Sequence, residues 1–574
     1  MLNKKEFELL RDIYEGVELL KKNEDEAIAL KKLNFIDDNC NITKSGLKVL
    51  ENHRVDNAII LAAGMSTRFV PVSYEKPKGL IAVKGEVLIE RIIRQLHEKG
   101  IKNVVVVVGY MMEKFLYLRE KYGVTLVVNN EFATKNTHSS IYHAKEHLAN
   151  TYICCSDNYY PDNPFHEYEY KAFYCSIFLE GISYVERAFS FDEEGLIYDT
   201  NKPSHDQWIM YGHAYFDKEF TKNFIPILND YYGKEGVENL YWENVYAQNI
   251  DKLPMYIKKC TPNEILEFDS MEELKEFDPD FVTHNKIKIF ENICKTLNCD
   301  NKDIKDIEVI KKGLNNRSFK FTLNNEQFVY RHPGNTASGV IDRKKEAKSL
   351  KTAKKLGIDD TLIYVDENEG WKISKFINIT DEFDFKNKEH INLLAKHLKT
   401  LHTANIKVGY EFDYSLEAKK LLNIIKSLDN SAYNNLLIAE EKMKSIIEYL
   451  EKDKWQVSLC HNDIYEPNLL ISDNTLNLID WEFAGDSDIG YDICKLFSLN
   501  SPEFDEADEF LKNYFDKPIT KKEKIHLFSC AAVIYYYWFV WSIYESKKDG
   551  KSSAYMVGWH DKMNHFANIV LKYI

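Results

Sequence analysis

The sequence predicts a chain of α/β plus α+β class, and three observations carry that expectation. The apolar runs AIILAA, NVVVVVG, TLVVNN and TYICCSD recur between residues 58 and 157, separated by amphipathic stretches such as LIERIIRQLHEKG. Continuous Val/Ile runs alternating with helices are the pattern of a parallel sheet covered on both faces. From 307 to 334 the pattern changes to three short strands, IEVIKKGLNNRSFKFTLNNEQFVYRHPG, and from 380 onward it is mainly helical. A small antiparallel lobe followed by a helical lobe makes an α+β unit. At 574 residues the chain exceeds what one core supports, so several domains are expected.

Residues 1–54 read as three helices, near 4–21, near 24–34 and a third begun by Thr43 as N-cap of ITKSGLKVLENHR. This order resembles a winged-helix module. Ten Lys and Arg stand against eleven Asp and Glu there, so packing or interaction is expected of it rather than operator reading. The whole chain carries a net charge of -15, which argues against nucleic acid as a main partner, because duplex binding depends on Lys and Arg neutralising phosphates. The α/β domain is expected over 55–280, closing where Pro279 stops the helix of SMEELKEFDPD, and the α+β unit over 285–574.

A hydrophobic content of 44 % with 29 % charged residues is that of a soluble chain that folds throughout. The ten cysteines lack CxxC spacing and read as reduced thiols of a cytoplasmic protein rather than a zinc site. The N-terminus MLNKKEFELL has no apolar signal core. The uncharged stretch LFSCAAVIYYYWFVWSIY, 527–544, reaches the length of a membrane span. Its four tyrosines and two tryptophans suit a membrane centre poorly, so a buried helix and no membrane insertion are expected.

The strand AIIL runs into Ala62-Ala63-Gly64-Met65-Ser66-Thr67-Arg68, a small-residue loop at the carboxyl end of a first strand, where open α/β sheets bind ligands. Leu61, Ala62, Ala63 and Gly64 bring backbone N–H groups to triphosphate oxygens, Arg68 supplies charge, and Lys78 of Lys76-Pro77-Lys78 adds a second cation. With VKGEVLIERII following, residues 57–275 resemble the sugar-phosphate and choline-phosphate nucleotidyltransferase superfamily, with Gly85-Glu86-Val87-Leu88 in place of its Gly-x-Pro-Leu. The resemblance implies a Rossmann-like fold, Lys78 and Arg68 as catalytic residues, and Mg²⁺ held by Asp157 of YICCSD and Asp269 of ILEFDSMEEL. NNEFATKNTHSSIYHA (129–144) and LYWENVYAQNIDKLPMYIKK (240–259) resemble the bacterial CTP:phosphocholine cytidylyltransferases more than the sugar enzymes. Trp208, Tyr241 and Trp242 are candidates to enclose a trimethylammonium head with their faces; as aromatic core residues they would be equally ordinary.

His461-Asn462-Asp463, Asn468 five residues beyond the Asp, and Ile479-Asp480-Trp481-Glu482 reproduce the spacing of a kinase catalytic loop and its following metal-binding Asp. A bilobal protein-kinase-like fold is thereby implied, with Asp463 accepting or orienting the substrate hydroxyl proton and Asn468 and Asp480 holding Mg²⁺. GLNNRSF (313–319), including Asn316 and Ser318, forms the turn over the phosphates. Arg331 of FVYRHPG stands for the usual strand Lys, with Glu346 of RKKEAKSL as its partner. The HND triplet, this Arg and the helix carrying Trp538-Phe539-Val540-Trp541 resemble choline and ethanolamine kinases over 300–574. Residues three apart share a helix face, so Trp538 and Trp541 are expected to wall a cage for a quaternary ammonium, with Tyr536, Tyr544 and Glu466 as further lining.

Together the two resemblances imply phosphorylation of choline by ATP and transfer of a cytidylyl group from CTP to phosphocholine, giving CDP-choline and pyrophosphate for decoration of surface glycans or lipids. Ethanolamine, an aminoalkyl phosphonate, or a sugar phosphate at the first site are the alternatives, and a homo-oligomer is left open. A regulator built from decayed enzymes is disfavoured by the intact Lys78, Asp157, Asp463, Asn468 and Asp480.

Overall fold

The computed structural model describes residues 2–17, 24–181, 188–200, 206–268, 270–310, 317–333, 342–515, 517–549 and 553–574, in two compact units that divide between Asn301 and Lys302.

In the first unit, strands Thr151–Cys155, Asn57–Ala62, Val104–Val108 and Thr125–Val128 lie side by side in that order and run parallel. Every residue of Asn57–Ala62 and of Val104–Val108 is buried, as unbroken apolar runs require of a sheet covered on both faces. Helix Leu88–Glu98 covers one face through Leu88, Ile89, Ile92, Ile93 and Leu96. Helices Thr137–Ala144, Lys218–Tyr232 and Trp242–Ala247 cover the other. Strands Phe173–Leu179, Ala188–Phe191 and Gln207–Phe216 extend the sheet in antiparallel fashion. From Asn57–Ala62 the chain first builds outward on one side, through Val104–Val108 to Thr125–Val128, and then returns to the other side with Thr151–Cys155. Such a reversal opens a crevice at the carboxyl ends of the two central strands, the place where open sheets hold ligands.

Residues 2–54 contribute helices Lys4–Glu15, Glu24–Lys32 and Lys44–Glu51. The first is shorter than its periodicity predicts, because Gly16 takes a left-handed conformation (φ 73°) and returns its N–H to Asp12 and Ile13. Thr43 caps the third through a 3.1 Å bond from the Gly46 N–H. The module is no free appendage: Phe7, Leu10, Leu30 and Leu50 share one cluster with Tyr168 of the α/β domain. The lower boundary of the last domain also differs from expectation. Helix Lys288–Leu297 belongs to the first unit, since the Glu75 carboxylate accepts the N–H groups of Lys288 (3.0 Å) and Ile289 (2.6 Å), and Asn285 Oδ1 accepts that of Ala82 (2.8 Å). Nothing in local periodicity announces bonds that span two hundred residues.

The second unit opens with an antiparallel sheet in the order Lys305–Ile310, Arg317–Leu323, Glu326–His332, Lys372–Lys375, Leu362–Val365, two strands beyond the three expected. Asn324 and Asn325 both have positive φ (51° and 65°), the geometry that a two-residue hairpin turn requires. The turn expected at 313–316 lies outside the described residues. Helices Lys388–Thr403, Tyr414–Leu428, Asn430–Lys452, Lys521–Asp549 and Met556–Val570 form the second lobe. Residues 524–537 are buried without interruption, so the long apolar stretch is the core helix of this lobe.

Candidate active sites

The crevice of the first unit is built by short-range geometry. Leu61, Ala62 and Ala63 are buried, and the loop is pinned from both sides: the Ser156 N–H donates to the Leu61 carbonyl (3.1 Å) and the Tyr110 N–H to that of Ala63 (3.1 Å). Gly64 and Arg68 are exposed, and no atom lies within 4 Å of where a Gly64 Cβ would sit, so backbone N–H groups there are open to a ligand. Asp157 follows strand Thr151–Cys155. Its Oδ2 lies 2.8 Å from the ammonium of Lys78, which is buried and stands 4.6 Å over the Phe69 ring. Gly79 makes this approach possible, because a Cβ there would meet Ser156 Cβ and Oγ at 2.7 Å. Asp269 lies outside the described residues; strand Leu266–Glu267 before it pairs with Asn158–Tyr159, directly after Asp157.

The aromatic expectation in this unit needs correction. Trp242 is 2 % exposed, stacks on Tyr174 (5.5 Å, 10°) and meets Phe216 edge-on, so it is a core residue. Tyr241 is half-buried as the N-cap of helix Trp242–Ala247. Trp208 lies on the antiparallel extension opposite Phe178, with the Lys259 ammonium 5.3 Å from its ring. Among the described residues the two tryptophans share no ring partner.

In the second unit, strand Val457–Cys460 delivers the 461–468 loop, and the fully buried Asp492 holds it. Asp492 accepts the N–H groups of His461 (2.8 Å) and Asn462 (2.9 Å) and contacts His402 Nε2 at 3.3 Å. Asn462, at φ 65°, donates its amide to Phe483 O and Ser487 Oγ, both at 3.1 Å. Asn468 donates to the Asp463 backbone carbonyl (2.9 Å) and carboxylate (3.1 Å), and Asp480 follows in a left-handed conformation. Burial pushes the Asp463 carboxyl up to about 8, the Asp480 charge adding to it and Lys495 opposing. Arg331, 4 % exposed, contacts the Glu346 carboxylate, donates to Gly370 O (3.1 Å) and stands 3.6 Å from Asp480. Burial works against a Glu346 carboxylate, yet the Arg331 charge and hydrogen bond bring its carboxyl down to about 2. Ser318 lies cross-strand from Arg331; Asn316 is outside the described residues.

Trp538 and Trp541 meet at 5.7 Å nearly edge-on. The following helix adds Trp559, 5.7 Å from Trp538 and 6.3 Å from Trp541, and Tyr555 packs on Trp559 at 5.6 Å. Phe483, three residues after Asp480, reaches Trp538 at 5.8 Å. Burial first, and then the charges of Asp463, Asp480 and Glu482, push the Tyr465 hydroxyl above its ordinary range. Tyr536 departs from expectation: 2 % exposed, it faces Glu440 and Tyr433 and belongs to the core, because the helix turns it away from the tryptophan face. Tyr544 is half-buried against the core, and Glu466 is exposed beside Lys562, whose ammonium burial lowers to about 8. Sequence reasoning missed Trp559, Tyr555 and Asp492; the helical pair Tyr555 and Trp559, four apart after a tryptophan-bearing helix, was the signal available for the first two.

Residues 307–566 match the family model described as choline/ethanolamine kinase, and residues 58–166 that of the MobA-like NTP transferase domain. A choline-phosphate cytidylyltransferase of Streptococcus pneumoniae is 34 % identical over 221 residues, covering 38 % of this chain and 96 % of its own length. A 2-aminoethylphosphonate cytidylyltransferase of Lancefieldella rimae is 36 % identical over 235 residues, covering 40 % of this chain and 95 % of its own. A solved choline kinase structure from Streptococcus pneumoniae, 22 % identical, covers 50 % of this chain and 100 % of its own, with a TM-score of 0.42.

Proposed function

The chain belongs to the family of cytidylyltransferases that includes the choline-phosphate and 2-aminoethylphosphonate enzymes, fused to a choline/ethanolamine kinase domain, and from that premise we propose that it phosphorylates choline with ATP and joins the phosphocholine to CTP. The observation that carries the reading is that Phe483, whose carbonyl accepts from Asn462 beside Asp463, meets a cluster of three tryptophans at Trp538. A quaternary ammonium has no N–H to donate and is held by aromatic faces, while a carboxylate beside them takes the hydroxyl proton. Asp463, held by Asn468 and by the Asp492-anchored loop, orients that hydroxyl toward the nucleotide. In the first unit, Lys78 and the backbone of the 61–64 loop offset charge on the triphosphate, while the phosphate of the acceptor attacks its α-phosphorus and pyrophosphate leaves.

The donor sets fit Mg²⁺: Asp480 and Asn468 in one site and Asp157 in the other are hard oxygen ligands. When bound, the ion would neutralise charge on the transferred phosphoryl or nucleotidyl group. A second reading of the first site is favoured by one observation. Trp242 is buried in the core and no tryptophan cage forms among the described residues of that unit, so an acceptor with a primary ammonium, such as an aminoalkyl phosphonate, suits it as well.

Phosphorus NMR of the full chain with Mg²⁺, ATP and CTP tests the proposal, with choline, ethanolamine or 2-aminoethylphosphonate supplied in parallel. Expected is a phosphocholine signal that gives way to CDP-choline. Phosphocholine that accumulates while the phosphonate is cytidylylated would establish the second reading. No phosphorylated amine at all would refute the kinase assignment.

A further inference from the structure

We propose that Lys372 is a second phosphate-binding cation of the nucleotide site in the second unit, working beside Arg331; the inference rests on reading that unit as an ATP-dependent kinase. The argument starts from register. Strands Glu326–His332 and Lys372–Lys375 are antiparallel, and Arg331 stands directly opposite Lys372. Side chains of opposed residues project from the same face, with Cβ atoms about 5 Å apart, and like charges in that position repel. Ser318 lies opposite Arg331 on its other side, so three adjacent strands present a hydroxyl, a guanidinium and an ammonium in one row.

The two cations are not equally engaged. Arg331 is tied to Glu346, which also receives the Arg343 guanidinium at 3.0 Å, and to the Gly370 carbonyl, with Asp480 at 3.6 Å. Lys372 is half-buried, and its ammonium makes no hydrogen bond or ion pair among the described residues. Burial and the charge of Arg331 push its ammonium down from its ordinary range, against the pull of Asp480, Glu346 and Asp359. A half-buried ammonium that faces a guanidinium and has no direct hydrogen-bond or ion-pair partner among the described residues is a cost that an apolar side chain would remove. A polyanion between them reverses the sign, and a nucleoside triphosphate is the polyanion this site handles. Arg331, locked by Glu346, then fixes the frame, while Lys372 on its flexible stem acts as a point charge on the phosphates.

The test uses the full chain and its Lys372→Met variant. Affinities for ATP and for adenosine are measured calorimetrically with Mg²⁺, together with the KM of ATP and amine, CTP-dependent transfer, and the Tm without ligand. Expected is a loss in ATP affinity on the order of tenfold, with adenosine, the amine KM and cytidylyl transfer within about twofold, and a Tm that holds or rises because a repulsion is gone. ATP affinity unchanged, or ATP and adenosine weakened alike with a lowered Tm, would overturn the proposal. If the native chain binds ATP but phosphorylates no amine, the kinase reading fails while the ATP comparison still decides the role of Lys372.

Discussion

Glu169→Gln is expected to loosen the first unit along one seam, between the N-terminal module and segment 163–170. The Glu169 carboxylate is buried and accepts from Tyr152 (2.6 Å), Lys258 (3.1 Å) and Arg11 of the module's first helix (3.2 Å). Burial opposes its ionisation, but Lys258 and Arg11 prevail and hold its carboxyl at about 2, below its ordinary 4.5. At about 1.4 kcal/mol per unit, this difference amounts to about 3 kcal/mol at neutral pH, in line with the cost of breaking a buried pair. Because the folded value lies below the unfolded one, this stabilisation is complete above pH 4.5 and is lost as the pH falls toward 2. Amide hydrogen exchange followed by mass spectrometry reads it locally. The Val55 N–H bonds the Glu167 carbonyl and the Glu169 N–H that of His53, and both should exchange about a hundredfold faster in the variant at pH 7. The gap between variant and native protein should narrow at pH 3. Acceleration of less than about threefold at pH 7, or a gap that does not depend on pH, would refute the reasoning.

At the other sites, Gly79→Ala places a Cβ 2.7 Å from Ser156 and should lower cytidylyl transfer by at least about tenfold, leaving amine phosphorylation intact, with partial recovery on adding Ser156→Gly. An unaffected transfer rate would show that the Lys78 loop tolerates displacement. Trp559→Ala should raise the KM of the amine by about tenfold and that of ATP by less than twofold; a parallel rise would mark Trp559 as packing only. Asp492→Asn, which keeps one of the acceptors for the His461 and Asn462 N–H groups, should lower kcat for phosphorylation by about a hundredfold with CTP-dependent transfer unchanged. Full phosphorylation activity would mean the 461–468 loop is held by its other contacts.

Both chemistries were legible because each rests on residues close together in the chain. A strand, a small-residue turn and a lysine within twenty positions assemble one site, and a loop of eight residues with an aspartate soon after assembles the other. The alternation of apolar runs and amphipathic helices likewise settled the parallel sheet, since burial on both faces demands continuous Val and Ile. Aromatic residues were read less well. Trp242 and Tyr536 look like Trp559 in a sequence, for an indole or phenol serves a core and a cage equally. Only the packing of helix Trp242–Ala247 onto the sheet and of helix Lys521–Asp549 into its lobe separates them.

From the sequence by itself came the α/β plus α+β architecture, through periodicity, and, through motifs that resemble known families, the classes of reaction and the pairing of Arg331 with Glu346. The tertiary structure decided which aromatics pack into a core and which gather in the Trp538 cluster, that helix Lys288–Leu297 joins the first unit, that the N-terminal module is bound in by a buried carboxylate, and that Lys372 faces Arg331. Each of these depends on which distant strand or helix lies alongside, and side-chain burial and cross-strand register come into being only when those elements pack.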